Sequence, residues 1–584
     1  MCPSPQSALN RRYTAVSEEK SEGATYTPKN LADFVAAQIY KTISQEKIIA
    51  PLRILDPAVG DGELLISLLE QFPDHEHKNI EVHGFETDIR ALNRATARIQ
   101  QRFPKVKVLF AHQNFLEFAV HHADTEDRSL FSMNLPAVPA ASYDLIIANP
   151  PYVRTQIMGA EQAQLLARQF GLSGRVDLYY AFLIGMAFVL KRKGIAGVIV
   201  SNRFMTTKSG GMVRQAIRKH FNIKHVWDLG DTKLFDAAVL PAVLLLQKQT
   251  GHDTAKTRFT SIYSTTELPV HQVSDAIAAL DCDQVVETDD GRCFRVKEGT
   301  LEIGLSLDST WRVATTFGDN WLATVASNTW GTFGDLGKIR VGVKTCADKV
   351  FIRSDWDDLP ASLRPELLRP LITHHVGRRF RSNDKNQIRQ ILYPHENIDG
   401  QRSTINLQAF PRAKAYLEQH RKTLEARSYV IEAGRQWYEI WVPHDPEGWS
   451  RPKLVFRDIS EEPIFWIDLE GSIVNGDCYW LACEQGKDVD FLWLAAAVSN
   501  STFIEAFYDH SFNNKLYAGR RRFITQYVEK FPLPDPNKQT SKQIIKLAKR
   551  LYESPESQET QELSATLNGL VWEAFGLQVE EVSR

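Results

Sequence analysis

The sequence predicts an α/β domain with a largely parallel sheet covered by helices, followed by a second domain of α+β character. Two observations carry this expectation. Between Leu52 and Lys248, short apolar runs alternate with helical patterns, as strands joined by crossover helices require. From about residue 251 the rhythm gives way to irregular sequence bearing Trp, Arg and Gly, until a helical tail near residues 540–576.

The first strand is RILD, and in the following ELLISLLEQF the side chains of Leu64, Leu65, Leu68, Leu69 and Phe72 share one helix face. Further strands are expected at EVHGFE, VKVLFA, YDLIIAN, IAGVIVSN, HVWDLG and VLPAVLLLQK. Helices are expected at IRALNRATARIQQRF, VDLYYAFLIGMAFVLKRK and GGMVRQAIRKHF. The last two strands are separated only by GDTKLFDAA, too short for a crossover helix, so they should pair antiparallel. The expected domains are residues 1–250, residues 251–537 and a helical tail over 538–584. The middle one closes on the prolines of RRRFITQYVEKFPLPDPNK, ahead of the basic amphipathic SKQIIKLAKRLYES.

Composition narrows the class of protein. A chain of 584 residues exceeds what one core usually serves, and 43% hydrophobic with 24% charged residues is ordinary for a globular protein. The most apolar stretches, Tyr179 to Leu190 and Val239 to Leu246, fall short of the ~20 residues of a membrane helix. The start MCPSPQSALNRRYTAVSEEK lacks a signal-peptide apolar run, so a cytoplasmic location in a bacterium or archaeon is expected. Six cysteines without a CxxC pair argue against a disulfide framework or a zinc site, and no metal is expected. With a net charge of −2, any nucleic-acid surface must come from local basic clusters. The candidates are Arg378, Arg379 and Arg381 beside Phe380, and Arg520, Arg521 and Arg522 beside Tyr517 and Phe523. His374 and His375 are adjacent and should point apart.

Chemistry concentrates at the ends of the predicted strands. ILDPAVGDGELL ends the first strand in a turn where Gly60 and Gly62 permit close backbone approach by a ligand, ahead of a helix with free N–H groups. GFETD places Glu86 at the carboxyl edge of the next strand, where a carboxylate can accept both ribose hydroxyls of an adenosine-bearing cofactor. In GATYTPKNLADFV, Thr27 reads as an N-cap and Pro28 as the first helical residue, a start that also suits an anionic carboxylate.

Asn149-Pro150-Pro151-Tyr152 follows the strand YDLIIA, and its two prolines lock a loop at the ligand-binding edge of the sheet. An aromatic exocyclic amine is a poor nucleophile because its lone pair is delocalised. If the Asn149 side-chain oxygen and the Pro150 carbonyl each accept one amino hydrogen, the nitrogen is drawn toward a tetrahedral shape. It can then attack a sulfonium methyl. Tyr152 offers a face on which an extruded base stacks, as base-modifying enzymes require.

On these motifs the chain resembles the TaqI-like, gamma-type N6-adenine DNA methyltransferases, most strongly from Thr25 to Lys248. The resemblance implies a Rossmann-like class I S-adenosylmethionine-dependent methyltransferase domain followed by a DNA-recognition domain. Thr25 and Thr27 would meet the methionine part of the cofactor, with Asp56, Ala58 and Gly60 from the glycine loop, Glu86 on the ribose and Pro151 alongside. The family's Asp-Phe pair beside the cofactor adenine falls on Asn114 and Phe115, an amide where a carboxylate is usual. The aromatic that stacks on the flipped adenine falls on Phe235, for which a core position is the alternative. LGKIRVGVKTCADKVFI and LNGLVWEAFGL resemble parts of TaqI-like specificity domains.

The implied activity is methyl transfer from S-adenosylmethionine to adenine N6 in a defined double-stranded DNA sequence, with no membrane role. Only about 25 residues precede the first motif, so cleavage is expected to fall to a separate cognate restriction endonuclease. A protein or ribosomal RNA methyltransferase, a cytosine amino methyltransferase and a catalytically dead DNA-binding subunit are the competing readings.

Overall fold

The computed structural model describes residues 27–43, 50–123, 143–152, 170, 177–207, 210–235, 240–249, 256–304, 309–382, 389–484, 486–512, 520–554 and 557–579. The chain divides into two compact units between Thr315 and Thr316. No helix among the described residues is long and apolar enough to cross a membrane.

The first unit is built on strands β1 (Leu52–Asp56), β2 (Ile80–Glu86), β3 (Lys107–His112), β4 (Tyr143–Ala148) and β5 (Leu190–Ser201). They lie in the order β3-β2-β1-β4-β5, all parallel. Strand β7 (Pro241–Lys248) inserts antiparallel between β5 and β6 (Phe221–Asp228), as the short connection requires. The sequential order of the strands reverses at the β1/β4 junction. That places a crevice at the carboxyl ends of these two strands, where open α/β sheets bind ligands.

Both faces of this sheet are covered, so its strands are apolar on both sides. Helices α1 (Lys29–Ile43), α2 (Glu63–Leu69) and α3 (Ile89–Arg102) bury Leu31, Val35, Leu64, Leu68 and Ile99 against Ile54, Ile147, Ile199 and Val243. On the opposite face, α4 (Phe115–Ala123), α5 (Leu178–Val189) and α6 (Gly211–His220) meet Leu55, Ile146, Val198 and Leu244. Neighbours in sequence thus serve different cores, as the two-residue period of a strand dictates. The sequence suggests that α5 continues through LKRK. Instead Leu190 turns extended (ψ 131°) and pairs with Tyr143 of β4, because completing the sheet outweighs helix propensity there.

The boundary expected near residue 251 is displaced. Strand β8 (Arg258–Ser264) pairs in parallel with β6, and β11 (Cys293–Glu302) pairs antiparallel with β8. Strands β9 (His271–Val273), β10 (Val285–Thr288) and β12 (Arg312–Ala314) complete the same sheet. The βα rhythm stops at residue 251 because antiparallel neighbours need no crossover helix, although the domain itself continues.

The second unit has the expected α+β character. Ile339–Val341, Cys478–Ala482, Lys453–Arg457 and Phe465–Asp468 form one antiparallel sheet. Ile352–Arg353, Arg389–Leu392, Leu368–Ile372 and Ile473–Val474 form another. The segment expected as a separate tail is two helices, Gln539–Glu553 and Gln558–Ala574. Their Ile544, Leu551, Val571 and Trp572 share one core with Leu454, Phe456 and Trp493, so the tail belongs to this unit.

Candidate active site

The loop after β1 is shaped by its glycines. Gly60 (φ 55°) and Gly62 (φ 86°) occupy the left-handed region, where a Cβ would be strained. Val59 N–H donates to the Phe85 carbonyl at 3.0 Å, tying the loop to the end of β2. A side chain at Gly84 would collide with Val59 and Phe110, so glycine is needed for that approach.

Glu86 lies across the loop. Its Oε2 accepts from Gly60 N–H at 2.9 Å, and its Oε1 from Thr87 N–H at 2.7 Å and Asp88 N–H at 2.9 Å. Two backbone N–H groups fill the lone pairs of Oε1, whereas Oε2, with one bond, retains acceptor capacity. The expected ribose ligand is therefore also the residue that fixes the glycine loop.

Asp56 is fully buried. Its Oδ1 accepts from Ala58 N–H at 2.9 Å, while Oδ2 has no partner among the described residues. Burial, with repulsion from Glu86 and Asp61, pushes its carboxyl up to about 7. An unpartnered buried carboxylate oxygen calls for a donor, ideally a cation, from a bound ligand. The amino group of S-adenosylmethionine is such a donor, and the residues of this loop fit that cofactor. Ala58 is half-buried against the α5-side core.

The loop after β4 leaves the same edge of the sheet, because β4 pairs in parallel with β1. Tyr152 Oη donates to Asn149 Oδ1 at 2.9 Å, and Asn149 Nδ2 donates to Thr27 Oγ1 at 3.0 Å. The helix starts one residue later than expected: the Pro28 carbonyl accepts its first bond, from Ala32 N–H at 3.0 Å, so Pro28 takes the capping position and Lys29 is the first helical residue. The side chain expected to serve the cofactor thus also braces Asn149, a link between residues far apart in the chain. Pro150 is buried and Pro151 half-buried. The Tyr152 ring packs on the α5-side core, 6.1 Å from that of Tyr179 and inclined at 66°. Burial drives its phenol far above the usual range, so the Tyr152 hydroxyl stays neutral and donates. Thr25 lies outside the described residues.

Asn114 Oδ1 accepts from Leu116 N–H at 2.9 Å at the start of α4, a capping bond that amide and carboxylate can both make. The Phe115 ring is 1% exposed, 5.6 Å from the rings of both Phe85 and Phe182. That ring is core, so only the backbone of Phe115 is left to meet a ligand. Phe235 is 7% exposed and packs in the cluster of Trp227, Leu229, Val243 and Ile262, on the α1 side of the sheet.

One polar network was not foreseen. Buried Asp228 accepts from Asn202 Nδ2 at 2.8 Å, Tyr263 Oη at 2.7 Å and Gly230 N–H at 3.2 Å, and burial pushes its carboxyl up to about 6. It ties the ends of β5, β6 and β8 together at the base of the loop carrying Phe235.

The arginine clusters of the second unit are largely engaged by protein. Arg521 is buried, bidentate to Asp509 at 2.9 Å through both bonds and 3.0 Å from Glu505. Arg522 pairs with Asp458 at 3.1 Å and Arg379 with Glu462 at 2.8 Å, while Arg381 donates to the Ser554 carbonyl. Phe380 and Phe523 are core residues, and Tyr517 lies outside the described residues. The His374 and His375 rings, expected to diverge, lie 3.9 Å apart, and His374 Nδ1 is paired with Asp477.

The chain matches the Eco57I restriction-modification methylase family over residues 60–235, and the TaqI-like C-terminal specificity domain over residues 396–533. The type II methyltransferase M.BanIII of Aneurinibacillus aneurinilyticus is 38% identical over 575 residues, covering 96% of this chain and 98% of that one. M.BstVI of Geobacillus stearothermophilus is 25% identical, covering 92% of this chain and 94% of its own. The solved structure of the Type IIL restriction-modification enzyme MmeI in complex with DNA shares the fold, with a TM-score of 0.57 at 14% identity over 95% of this chain and 73% of that one. A near full-length relative at that identity, on a class I methyltransferase fold whose glycine loop and Asn149 loop flank one crevice, makes this chain a member of the type II methyltransferases of restriction-modification systems.

Proposed function

We propose that the chain methylates the N6 amino group of adenine within a specific double-stranded DNA sequence, using S-adenosylmethionine. The observation that carries this reading is the Asn149 amide, braced by Thr27 and Tyr152 at the carboxyl end of β4, the strand next to the one that carries the glycine loop.

S-adenosylmethionine, when bound, supplies an electrophilic methyl group on a sulfonium. Asp56 and the start of α1 would hold its amino-acid end, Gly60 and Glu86 its ribose, and Asn114 with the Phe115 backbone its adenine. Asn149 Oδ1 accepts from Tyr152 Oη in the free protein. With the base in place it accepts a hydrogen of the target amine, and the Pro150 carbonyl accepts the second hydrogen. The two acceptors localise the nitrogen lone pair. The Tyr152 ring provides the surface on which the extruded base rests, with Phe235 on the opposite side, and the prolines keep the loop from yielding.

The second unit, which includes the TaqI-like segment, would select the site. The full-length relatives carry methyltransferase names, which favours a separate endonuclease as the restriction partner. The test is expression in a methylation-free host, followed by sequencing that detects modified bases. N6-methyladenine at one recurring sequence is expected with the unaltered chain and none with Asn149→Ala. Modified cytosine, or unmodified DNA in both, would overturn the reading.

A further inference from the structure

In the second unit, Arg340 and Trp480 face each other across adjacent antiparallel strands, and the guanidinium sits 5.3 Å over the indole. Beside them is a cavity of about 170 Å³, far more than the ~10–15 Å³ one water needs. Lys338 and Arg451 also line it, so three cations converge on one space. None of the three is within ion-pair distance of a carboxylate among the described residues. Of the two acids on the rim, Glu484 pairs with Lys487 at 3.2 Å, and Asp445 accepts from Asn397 Nδ2 at 3.2 Å and Glu447 N–H at 3.1 Å.

The floor has its own deficit. Trp480 is 3% exposed, and its indole N–H finds no acceptor. An indole nitrogen only donates, and leaving a buried donor unmet is costly. His444 Nε2 is also without a partner, on a residue held at φ 62°, a conformation unusual for a side chain of this size. Its ring stands at 90° to Trp480 and 84° to Trp449, which fixes it in the wall of the cavity. Three cations outnumber the two acids that line the cavity, and this excess of positive charge suits a tetrahedral oxyanion, whose oxygens accept in several directions at once.

We propose that this cavity binds a phosphate group, and that in the working enzyme it is a phosphate of the DNA backbone. This rests on the reading of the second unit as the DNA-recognising part. Lys338 and Arg451 are exposed, so removing their charge should leave the fold intact.

The test compares the full chain with Lys338→Gln/Arg451→Gln and with Trp480→Phe, measuring affinity for target duplex between 50 and 200 mM salt. Neutralising one phosphate contributes about 0.9 to the slope of log affinity against log salt. The double variant should lose about that much slope and on the order of tenfold in affinity. Trp480→Phe should lose a few-fold, with melting temperatures showing both variants folded. In parallel, inorganic phosphate is titrated calorimetrically into DNA-free protein. Unchanged duplex binding in both variants, with phosphate bound by the unaltered chain and not by the double variant, would overturn the DNA source and assign the site to a free phosphate compound. Unchanged duplex binding with no phosphate bound overturns the proposal. If the unaltered chain binds no duplex, the reading of the second unit fails, and the phosphate titration alone decides the cavity.

Discussion

Replacing Asn149 with alanine removes one of the two acceptors proposed for the target amine and leaves the Pro150 carbonyl in place. As the nitrogen acquires positive charge, a hydrogen bond to it contributes about 1.5–3 kcal/mol, or roughly 10- to 150-fold in rate. Losing one preorganised group at a centre of developing charge more often costs about 100- to 1,000-fold. A fall in kcat of about 100-fold is therefore expected, with DNA affinity changed less than about threefold, since the bond strengthens only toward the transition state. Tyr152 Oη and Thr27 Oγ1 each lose a partner in this variant, at a cost of about 1–2 kcal/mol in stability. The assay must therefore run well below the melting temperature. Single-turnover transfer of a labelled methyl group gives the chemical step, and a fluorescent adenine analogue at the target reports extrusion. Asn149→Ala should keep the fluorescence and lose the turnover, and Asn149→Asp, which retains an acceptor oxygen, should lose less. A loss below fivefold, or equal losses in binding and rate, would refute the activation argument.

Glu86→Gln should weaken cofactor binding less than Glu86→Ala, because the amide can still accept one of the loop's N–H bonds; equal affinities in a calorimetric titration would count against this dual role. Asp56 has a folded pKa of about 7 against about 4 unfolded. The protonated form is thus favoured in the free protein, and its contribution to stability, on the order of a few kcal/mol, is present below pH ~4 and lost as pH rises through about 7. S-adenosylhomocysteine, which carries the same amino group, should then raise the melting temperature more at pH 8 than at pH 5, and Asp56→Asn should flatten that difference; an unchanged pH trend would remove Asp56 from the cofactor site. Arg521→Ala strands Glu505 and Asp509 and should cost about 3–5 kcal/mol in urea unfolding, whereas a midpoint shift worth under about 1 kcal/mol would mean the network is slack. Phe235→Leu should retain most of the core packing, within about 1.5 kcal/mol, while removing the aromatic face; unaltered extrusion fluorescence and turnover would leave Phe235 as a core residue only.

Most of the first unit was legible because its signals are local. The strands from β1 to β6 are apolar runs separated by helices, and each chemical motif follows a strand, so Gly60, Glu86 and Asn149 could be assigned to one edge without knowledge of the packing. What could not be read depends on contacts between distant segments. Asp228, Asn202 and Tyr263 come from three regions and look like ordinary polar residues until the sheet assembles them. The brace from Thr27 to Asn149 spans a separation of 122 residues, and no spacing rule reaches that far.

The arginine run from 520 to 522 shows how a local signal can mislead. Three adjacent cations resemble a phosphate surface, yet Glu505 and Asp509 stand four residues apart on the helix Thr502–Phe512 and so share one face. That acidic face, immediately upstream, was the available sign that Arg521 would be consumed within the protein. The cations of the Trp480 cavity give the opposite lesson. Lys338, Arg340 and Arg451 form no run, and 111 residues separate the last two. Only strand pairing and the turn before Arg451 bring them together over an unmet indole N–H. Charge clustered in sequence can thus be consumed inside the fold, whereas charge dispersed in sequence can be gathered by it, and only the assembled structure tells the two apart.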